Sequence, residues 1–262
     1  MPTVRAMSAG AADYIAKPEA TGLGGASAYQ KDLVGKVRAL GGAAQVSANP
    51  ARRTPLSRLP QRPVRKSGFF RPKAMVIASS TGGPQALQAL LPPIAKDVRA
   101  PIFIVQHMPA TFTKILAEKL ASLTGKPCYE PRNGEAVKDG CIYLAPGDFH
   151  MQVAKSPTGI SIKLDQGPPV NYCRPAADPL FQSAVNVYGG DLLGVVLTGM
   201  GSDGKDGAGA IQEAGGRVIV QDETSSVVWG MPGAVATAGH ADAIKPLKEL
   251  PPLALSYMNG RG

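Results

Sequence analysis

The sequence is poor in the residues that mark several classes of protein. Of its 262 residues only 5% are aromatic, and it has three cysteines and three histidines. No apolar run approaches the ~18 residues of a membrane-spanning helix, and no signal-peptide core opens the chain. The cysteines (Cys128, Cys141 and Cys173) show neither C-x-x-C nor His-paired spacing. We therefore expect inert thiols in a cytoplasmic protein without membrane insertion, zinc site or disulfide framework.

Acidic residues are absent from one long stretch, between Leu33 and Lys96. Residues 1–73 contain 13 Lys and Arg and 3 acidic residues, whereas residues 74–262 contain 15 and 16. The formal charge of +9 therefore comes from the N-terminal part. The larger part of the chain gives no electrostatic reason to expect a nucleic acid as partner.

The N-terminal part also predicts the domain organisation. Residues 50–73 contain five prolines and eight Lys or Arg, which is typical of an extended, self-repelling linker, although a docking strip for an acidic partner has the same composition. Residues 1–40 are too few to bury a core of their own. We predict three regions: a short segment at 1–40, a Pro/Arg-rich linker at 41–73 and one large domain at 74–262.

From residue 74 onward, apolar runs end in glycine-containing turns and helical patterns follow. Strands are predicted at 74–78, 101–106, 192–197 and 217–221. Helices are predicted at 84–91, 110–123 and 204–214, and from Pro232 onward. Continuous apolar strands separated by helices indicate a parallel sheet covered on both faces, so the predicted fold is a doubly wound, mostly parallel α/β domain. The short β-rich runs of residues 127–165 predict antiparallel hairpins attached to that sheet.

Three chemically useful side chains follow three of the predicted strands. Ser80 comes after the first strand, His107 after the second, and Asp203 after the strand at 192–197. Ligands of open α/β sheets collect at the carboxyl ends of the strands, where we expect these residues to meet. They are the nucleophile, base and orienting carboxylate that acyl transfer needs, in a chain order different from that of α/β-hydrolases.

The setting of the serine resembles a nucleophile elbow. Residues 78–82 match G-x-S-x-G with Ala78 in place of the first glycine, which makes Ser80, and not Ser79, the candidate nucleophile. At such an elbow the N–H of Thr81 faces the developing oxyanion, and the helix from Pro84 adds its positive end. The same residues are compatible with a strand-to-helix turn that carries an N-cap, or with a phosphate cradle.

The other two histidines are weaker candidates. His240 follows Ala-Gly near the end of a helical stretch and is predicted to be a C-terminal cap residue. His150 lies in the hairpin region, where the alternation leaves its facing undecided.

A second motif overlaps the candidate acid. Residues 199–204 read G-x-G-x-x-G between a strand and a helix, and Asp222 and Glu223 follow about 20 residues later. This is the pattern of a dinucleotide-binding turn and would indicate a nicotinamide-dependent oxidoreductase. That interpretation leaves Ser80 and His107 without a role. A non-catalytic signalling module is the third class that the sequence leaves open.

Seven motifs in order resemble the CheB family of chemotaxis methylesterases over residues 74–258. They are STGGP at 80–84, QHMP at 106–109, LAPGDFHM at 144–151, GPPVN at 167–171, RP at 174–175, LTGMGSDG at 197–204 and GMP at 230–232. Ala78 departs from the family, which commonly has glycine there.

The resemblance implies a serine esterase. The family's catalytic serine, histidine and aspartate match Ser80, His107 and Asp203, and a backbone amide at Met200 helps to stabilise the oxyanion. The implied substrates are γ-glutamyl methyl esters on methyl-accepting chemotaxis receptors, hydrolysed to glutamate and methanol, with deamidation of receptor glutamines in some members. The resemblance implies a monomeric enzyme without metal or cofactor.

The N-terminal segment has a resemblance of its own. Residues 9–18 are similar to the last strand of a response-regulator receiver domain, and a final helix is predicted near 28–40; Lys17 matches the lysine that contacts the phosphoryl group. The phosphoacceptor aspartate of a receiver lies upstream of this strand, so the segment is expected to be an incomplete receiver remnant. A chemotaxis histidine kinase is then a partner only of a form with a full receiver, and this esterase is expected to be constitutively open.

Overall fold

The structure is a computed structural model that describes residues 70–260, together with Ile15, Gln30, residues 33–38, Leu40 and Gly41. Residues 33–38 are helical, within the helix predicted near 28–40. The other predictions for the N-terminal segment, including Lys17, and those for the linker up to residue 69 lie outside the described residues.

Strands and helices alternate through most of residues 70–260. The strands are β1 (Ala74–Ser79), β2 (Ile102–Gln106), β3 (Cys128–Tyr129), β4 (Ile142–Leu144), β5 (His150–Ser156), β6 (Gly159–Asp165), β7 (Leu192–Val196), β8 (Arg217–Gln221) and β9 (Ala243–Lys245). The helices are α1 (Gly83–Ala95), α2 (Ala110–Thr124), α3 (Ala177–Tyr188), α4 (Lys205–Glu213), α5 (Met231–Thr237) and α6 (Leu250–Met258).

Seven strands form one parallel sheet in the order β3-β4-β2-β1-β7-β8-β9. From β1 the chain winds first toward β2 and later, in the other direction, from β7 to β9, so the direction of winding reverses between β1 and β7. Clefts at the carboxyl ends of strands open at such a switch point. The doubly wound parallel fold predicted from the apolar runs is confirmed.

The prediction for residues 127–165 is partly wrong. β5 and β6 do form an antiparallel hairpin, but as a separate two-stranded sheet, and Val153 N–H bonds the Ser183 hydroxyl of α3 at 3.1 Å. β3 and β4 belong to the main sheet and pair in parallel. With two or three residues, these strands are too short to show a pattern of alternation. Both faces of β4 are also buried, so its residues do not alternate between apolar and polar.

Each face of the sheet is covered by helices. Alternate residues of β1 point to opposite sides, with Met75 and Ile77 in one apolar cluster and Val76 and Ala78 in the other. The first cluster includes residues of α1, α2 and α6, and the second includes residues of α3, α4 and α5 and of the β5–β6 hairpin. Both faces are therefore dry, which explains the continuous apolar runs that predicted these strands.

Candidate active site

Ser80 lies directly after β1, in the turn that leads into α1. Its N–H donates to the Thr198 carbonyl at 3.0 Å, and its carbonyl accepts the N–H of Gly83 at 2.7 Å. Ser80 is partly exposed, whereas Ser79 is fully buried and donates its hydroxyl to Gln106 Oε1 at 2.7 Å. The hydroxyl that the edge of the sheet presents is therefore that of Ser80.

Gly82 makes the sharp turn possible. It is the N-cap residue of α1 with a φ of 78°, and a Cβ at this position would lie 2.6 Å from Cγ2 of Val227. No side chain among the described residues caps α1, so the interpretation of these residues as a side-chain N-cap is wrong.

Gln106 connects the backbones of the candidate nucleophile and base. Its amide N–H groups donate to the carbonyls of Ser80 at 2.9 Å and His107 at 3.1 Å, while its carbonyl accepts the Ser79 hydroxyl. Gln106 is 2% exposed and its β-strand position is directly opposite Ser79. A buried amide whose polar atoms are all paired fixes the geometry around it.

His107 and Asp203 form the central polar pair. His107 follows β2, and its Nε2 lies 2.7 Å from Oδ2 of Asp203. Asp203 lies directly before Gly204, the N-cap residue of α4, and is 1% exposed. The structure therefore brings together the side chains of these two residues, which were predicted to meet at the carboxyl ends of the strands.

The carboxylate of Asp203 occupies the N-terminus of α3. It accepts the backbone N–H groups of Ala177 at 2.5 Å and Asp178 at 3.2 Å, and the side-chain amide of Asn171 at 3.0 Å. The unpaired N–H groups and the positive end of a helix stabilise an anion there. The charge that orients His107 is thus held by backbone donors.

The charges of the pair follow from these contacts. Burial by itself lowers the pKa of His107, but the hydrogen bonds to Asp203 and Cys173 outweigh it and raise the pKa from 6.5 to about 10. For Asp203, burial would raise the pKa, but His107 and the Ala177 N–H hold it below its usual range. The contact therefore favours a carboxylate at Asp203 and a proton on Nε2, the imidazole nitrogen that faces it.

The structure adds residues that the sequence did not single out as functional. Asn171 donates its amide to both Asp203 and Asp178, and Asp178 accepts the N–H of Gly207 in the first turn of α4 at 2.8 Å. Burial raises the pKa of Asp178 to about 6, the Gly207 N–H opposes it, and the nearby Asp203 charge adds to it. In the sequence, the signal that pointed to Asn171 was its place in the GPPVN motif.

Cys173 is the second unforeseen member of the site. Its Sγ lies 3.4 Å from Nδ1 of His107. Cys128 and Cys141 are buried, as expected for inert thiols, but Cys173 is partly exposed and contacts the candidate base. Its spacing to His107 in the sequence, 66 residues, could not reveal this pairing.

The candidate oxyanion residues are Thr81 and Met200. Thr81 follows Ser80 in the elbow, and its carbonyl accepts the Thr198 hydroxyl at 3.0 Å. Met200 follows Gly199, where a Cβ would lie 2.8 Å from Cβ of Ser80 and 2.4 Å from Sδ of Met231. Glycine is required at 199 because the loop after β7 packs against Ser80, which accounts for this part of the G-x-G-x-x-G pattern without a dinucleotide.

The acid that would bind a ribose in the dinucleotide interpretation is engaged elsewhere. Asp222 accepts the hydroxyls of Thr224 at 2.5 Å and Ser225 at 2.6 Å and so shapes the loop after β8.

His150 is buried, donates Nε2–H to the Pro168 carbonyl and accepts the Ala176 N–H at Nδ1. These contacts give His150 a structural role in holding the segment that carries Asn171 and Cys173.

His240 lies away from the site. Its backbone N–H donates to the Val235 carbonyl at the end of α5, as predicted for a cap residue. Within the described ranges, no three His, Cys, Asp or Glu side chains gather in a group that could hold a metal ion. In the same ranges no helix has the length and apolar character needed to cross a membrane.

Comparisons with known proteins point to one family. Residues 75–253 match the family model described as CheB methylesterase. The chain is 52% identical over 256 residues to protein-glutamate methylesterase/protein-glutamine glutaminase 2 of Caulobacter vibrioides, across 95% of this chain and 72% of that protein. It is 44% identical over 289 residues to the protein-glutamate methylesterase/protein-glutamine glutaminase of Maricaulis maris, with the same coverage. The CheB methylesterase catalytic domain of Thermotoga maritima is similar in structure, with a TM-score of 0.69 and 40% identity over 71% of this chain and 99% of that one.

Proposed function

The chain belongs to the CheB methylesterase family, and from this premise we propose that Ser80, His107 and Asp203 hydrolyse γ-glutamyl methyl esters of methyl-accepting chemotaxis receptors to glutamate and methanol. The observation that carries the assignment is the 2.7 Å bond between His107 and a buried Asp203, beside the elbow of Ser80. The names of the relatives contain both the methylesterase and the glutaminase activity.

The mechanism follows from the orientation of the imidazole. Because Nε2 of His107 faces Asp203, Nδ1 is the nitrogen left to accept the proton of Ser80. As Ser80 Oγ attacks the ester carbonyl, its proton moves to Nδ1 and the Asp203 carboxylate stabilises the imidazolium. The same proton then passes to the departing methoxide, which leaves as methanol. Water then attacks the acyl carbonyl while Nδ1 takes its proton, and that proton returns to Ser80 Oγ as the bond between Ser80 and the glutamyl group breaks.

The developing oxyanion needs donors that are already in place. The backbone N–H groups of Thr81 and Met200 are the proposed donors, supported by the packing of Gly199 against Ser80 and by the N-terminus of α1. Gln106 supports this role because it holds the Ser80 carbonyl and so restrains the peptide unit that contains the Thr81 N–H.

Deamidation of glutamine uses the same steps with a different leaving group. Ser80 attacks the side-chain amide, His107 protonates the departing nitrogen, and ammonia leaves in place of methanol. We propose this second activity for the same centre, supported by the glutaminase in the names of both relatives.

The test is methanol release from a purified, methylated receptor. Ser80→Ala is expected to abolish it, because the other two hydroxyls of the elbow, those of Ser79 and Thr81, are buried. Ser79→Ala is the matched control, since Ser79 is buried and bonds Gln106, and it is expected to keep most of the activity. Most of the activity remaining in Ser80→Ala would refute the nucleophile, and no release by the unmodified chain from any methylated receptor would refute the function.

The assignment of residues 74–262 as the catalytic domain, after a receiver remnant at 1–40 and a linker at 41–73, stays a prediction. The same holds for a monomeric enzyme and for a histidine kinase as partner where a full receiver is present. These statements are supported by the resemblance and by composition.

A further inference from the structure

The nitrogen that must take the proton of Ser80 already has a neighbour. Nδ1 of His107 lies 3.4 Å from Sγ of Cys173, while Nε2 is bound to Asp203. In the described part of the chain, the Ser80 hydroxyl has no hydrogen-bond partner. The thiol of Cys173 and not the hydroxyl of Ser80 therefore occupies the reactive side of the imidazole.

We propose, on the basis of the proposed function, that Cys173 is a positioning residue of the esterase. Its thiol shares a proton with Nδ1 of His107 in the resting enzyme. The thiol must release that nitrogen before Ser80 can be deprotonated. Cys173 acts only through His107 and does not take part in bond formation to the ester. The availability of the base then depends on where the shared proton resides.

The backbone holds Cys173 in this place. Val170 and Cys173 exchange two backbone hydrogen bonds, of 3.1 and 2.9 Å, which close a tight turn. Arg174, next along the chain, donates to Asp148 at 3.0 Å and to the Gly167 carbonyl at 2.8 Å. Cys173 therefore lies on a turn that hydrogen bonds hold in place, and its contact with the imidazole does not depend on a freely rotating chain end.

A thiol affects the base differently from other small side chains. Transfer of its proton to Nδ1 leaves a thiolate beside an imidazolium, and in that state His107 already carries the proton that it should take from Ser80. The titratable groups around His107 are Asp203 on Nε2, Cys173 on Nδ1 and, one residue further out through Asn171, Asp178. Of these, only Cys173 occupies the side of the ring that Ser80 must use.

The first experiment measures kcat/KM for methanol release against pH in the unmodified chain, Cys173→Ser and Cys173→Ala. Neither hydroxyl nor methyl forms an anion beside His107 at neutral pH, so both variants are expected to move the acidic limb of the profile about one pH unit lower. Cys173→Ser nearly preserves the side-chain volume, so a shift shared by both variants does not come from a cavity. An unchanged acidic limb in both variants overturns the proposal.

The second experiment needs no esterase activity. Iodoacetamide is allowed to react with the folded chain at pH 7, and alkylation of each cysteine is followed by mass spectrometry. Sγ of Cys173 attacks the methylene carbon, the C–I bond breaks, iodide leaves, and the thiol proton stays on Nδ1 of His107. Replacing the proton acceptor by His107→Gln is expected to slow alkylation of Cys173 about tenfold, because the thiolate is the reactive form.

Cys128 and Cys141 are internal controls in the same sample. Both are buried, and burial raises the pKa of the Cys128 thiol to about 12, so both should react slowly with or without His107. Equal alkylation of Cys173 in the unmodified chain and in His107→Gln overturns the proposal, even if the chain is an active esterase. The dependence of Cys173 on His107 supports it even if the receptor substrate proves to be different.

Discussion

Replacing Asp203 by asparagine removes one charge without changing the size of the side chain, and the contacts of Asp203 predict the result. Oδ2 accepts from His107 at 2.7 Å and from the Ala177 N–H at 2.5 Å, and Oδ1 accepts from the Asp178 N–H at 3.2 Å and from Asn171 at 3.0 Å. Each oxygen therefore faces two donors. Whichever way the new amide is turned, its NH₂ group faces two donors, and at least one buried N–H loses its acceptor.

The expected magnitudes follow from this mismatch. When the NH₂ faces His107, the imidazole can bond it only by accepting at Nε2, which places the proton on Nδ1 and leaves no base for Ser80. Catalytic triads lose about four orders of magnitude in kcat in this way, or about 5.4 kcal/mol of transition-state stabilisation. Unsatisfied buried donors cost about 1–3 kcal/mol each, so we also expect Asp203→Asn to be less stable by about 2–4 kcal/mol and to melt about 5–15 °C lower.

Two assays on one pair of variants separate the effects. Methanol release from methylated receptor reports kcat, and calorimetry reports the melting temperature. Ser80→Ala is the matched comparison, because its hydroxyl has no partner in the described residues: it should lose activity at an unchanged melting temperature, whereas Asp203→Asn should lose both. A fall in kcat of less than tenfold in Asp203→Asn would show that His107 does not depend on this carboxylate.

Two further predictions concern the surroundings of the pair. Gln106→Leu removes the amide that holds the Ser80 and His107 carbonyls. We expect kcat to fall about 10- to 100-fold with little change in KM, because a reacting group is displaced by a fraction of an ångström. A rise in KM as large as the fall in kcat would contradict a positioning role. The pKa of His107 is raised on folding from 6.5 to about 10, so its stabilising contribution is complete below pH 6.5 and is lost as the pH rises toward 10. The free energy of unfolding, measured with urea, should therefore fall more steeply between pH 7 and 10 in the unmodified chain than in His107→Gln, and parallel curves would disprove this.

The predictable part of the fold is the part that depends on local pattern. The continuous apolar runs of β1, β2, β7 and β8 predicted buried parallel strands within one or two residues of their observed bounds. Short or irregular pieces were not predictable in this way: β4 has three residues, and its pairing with β2 depends on contacts with a strand about 40 residues earlier in the sequence. Sequence pattern does not contain that partner.

The candidate site divides along the same line. Ser80, His107 and Asp203 could be singled out from the sequence, because parallel strands bring their carboxyl ends to one edge of the sheet whatever their order. Only the tertiary structure decided which nitrogen of His107 faces Asp203, and that the N-terminus of α3 receives the carboxylate. It also decided that the irregular turn of Asn171 and Cys173 supplies the remaining contacts. Those contacts join residues tens of positions apart through loops without periodicity, so their geometry exists only once the sheet and its helices have packed.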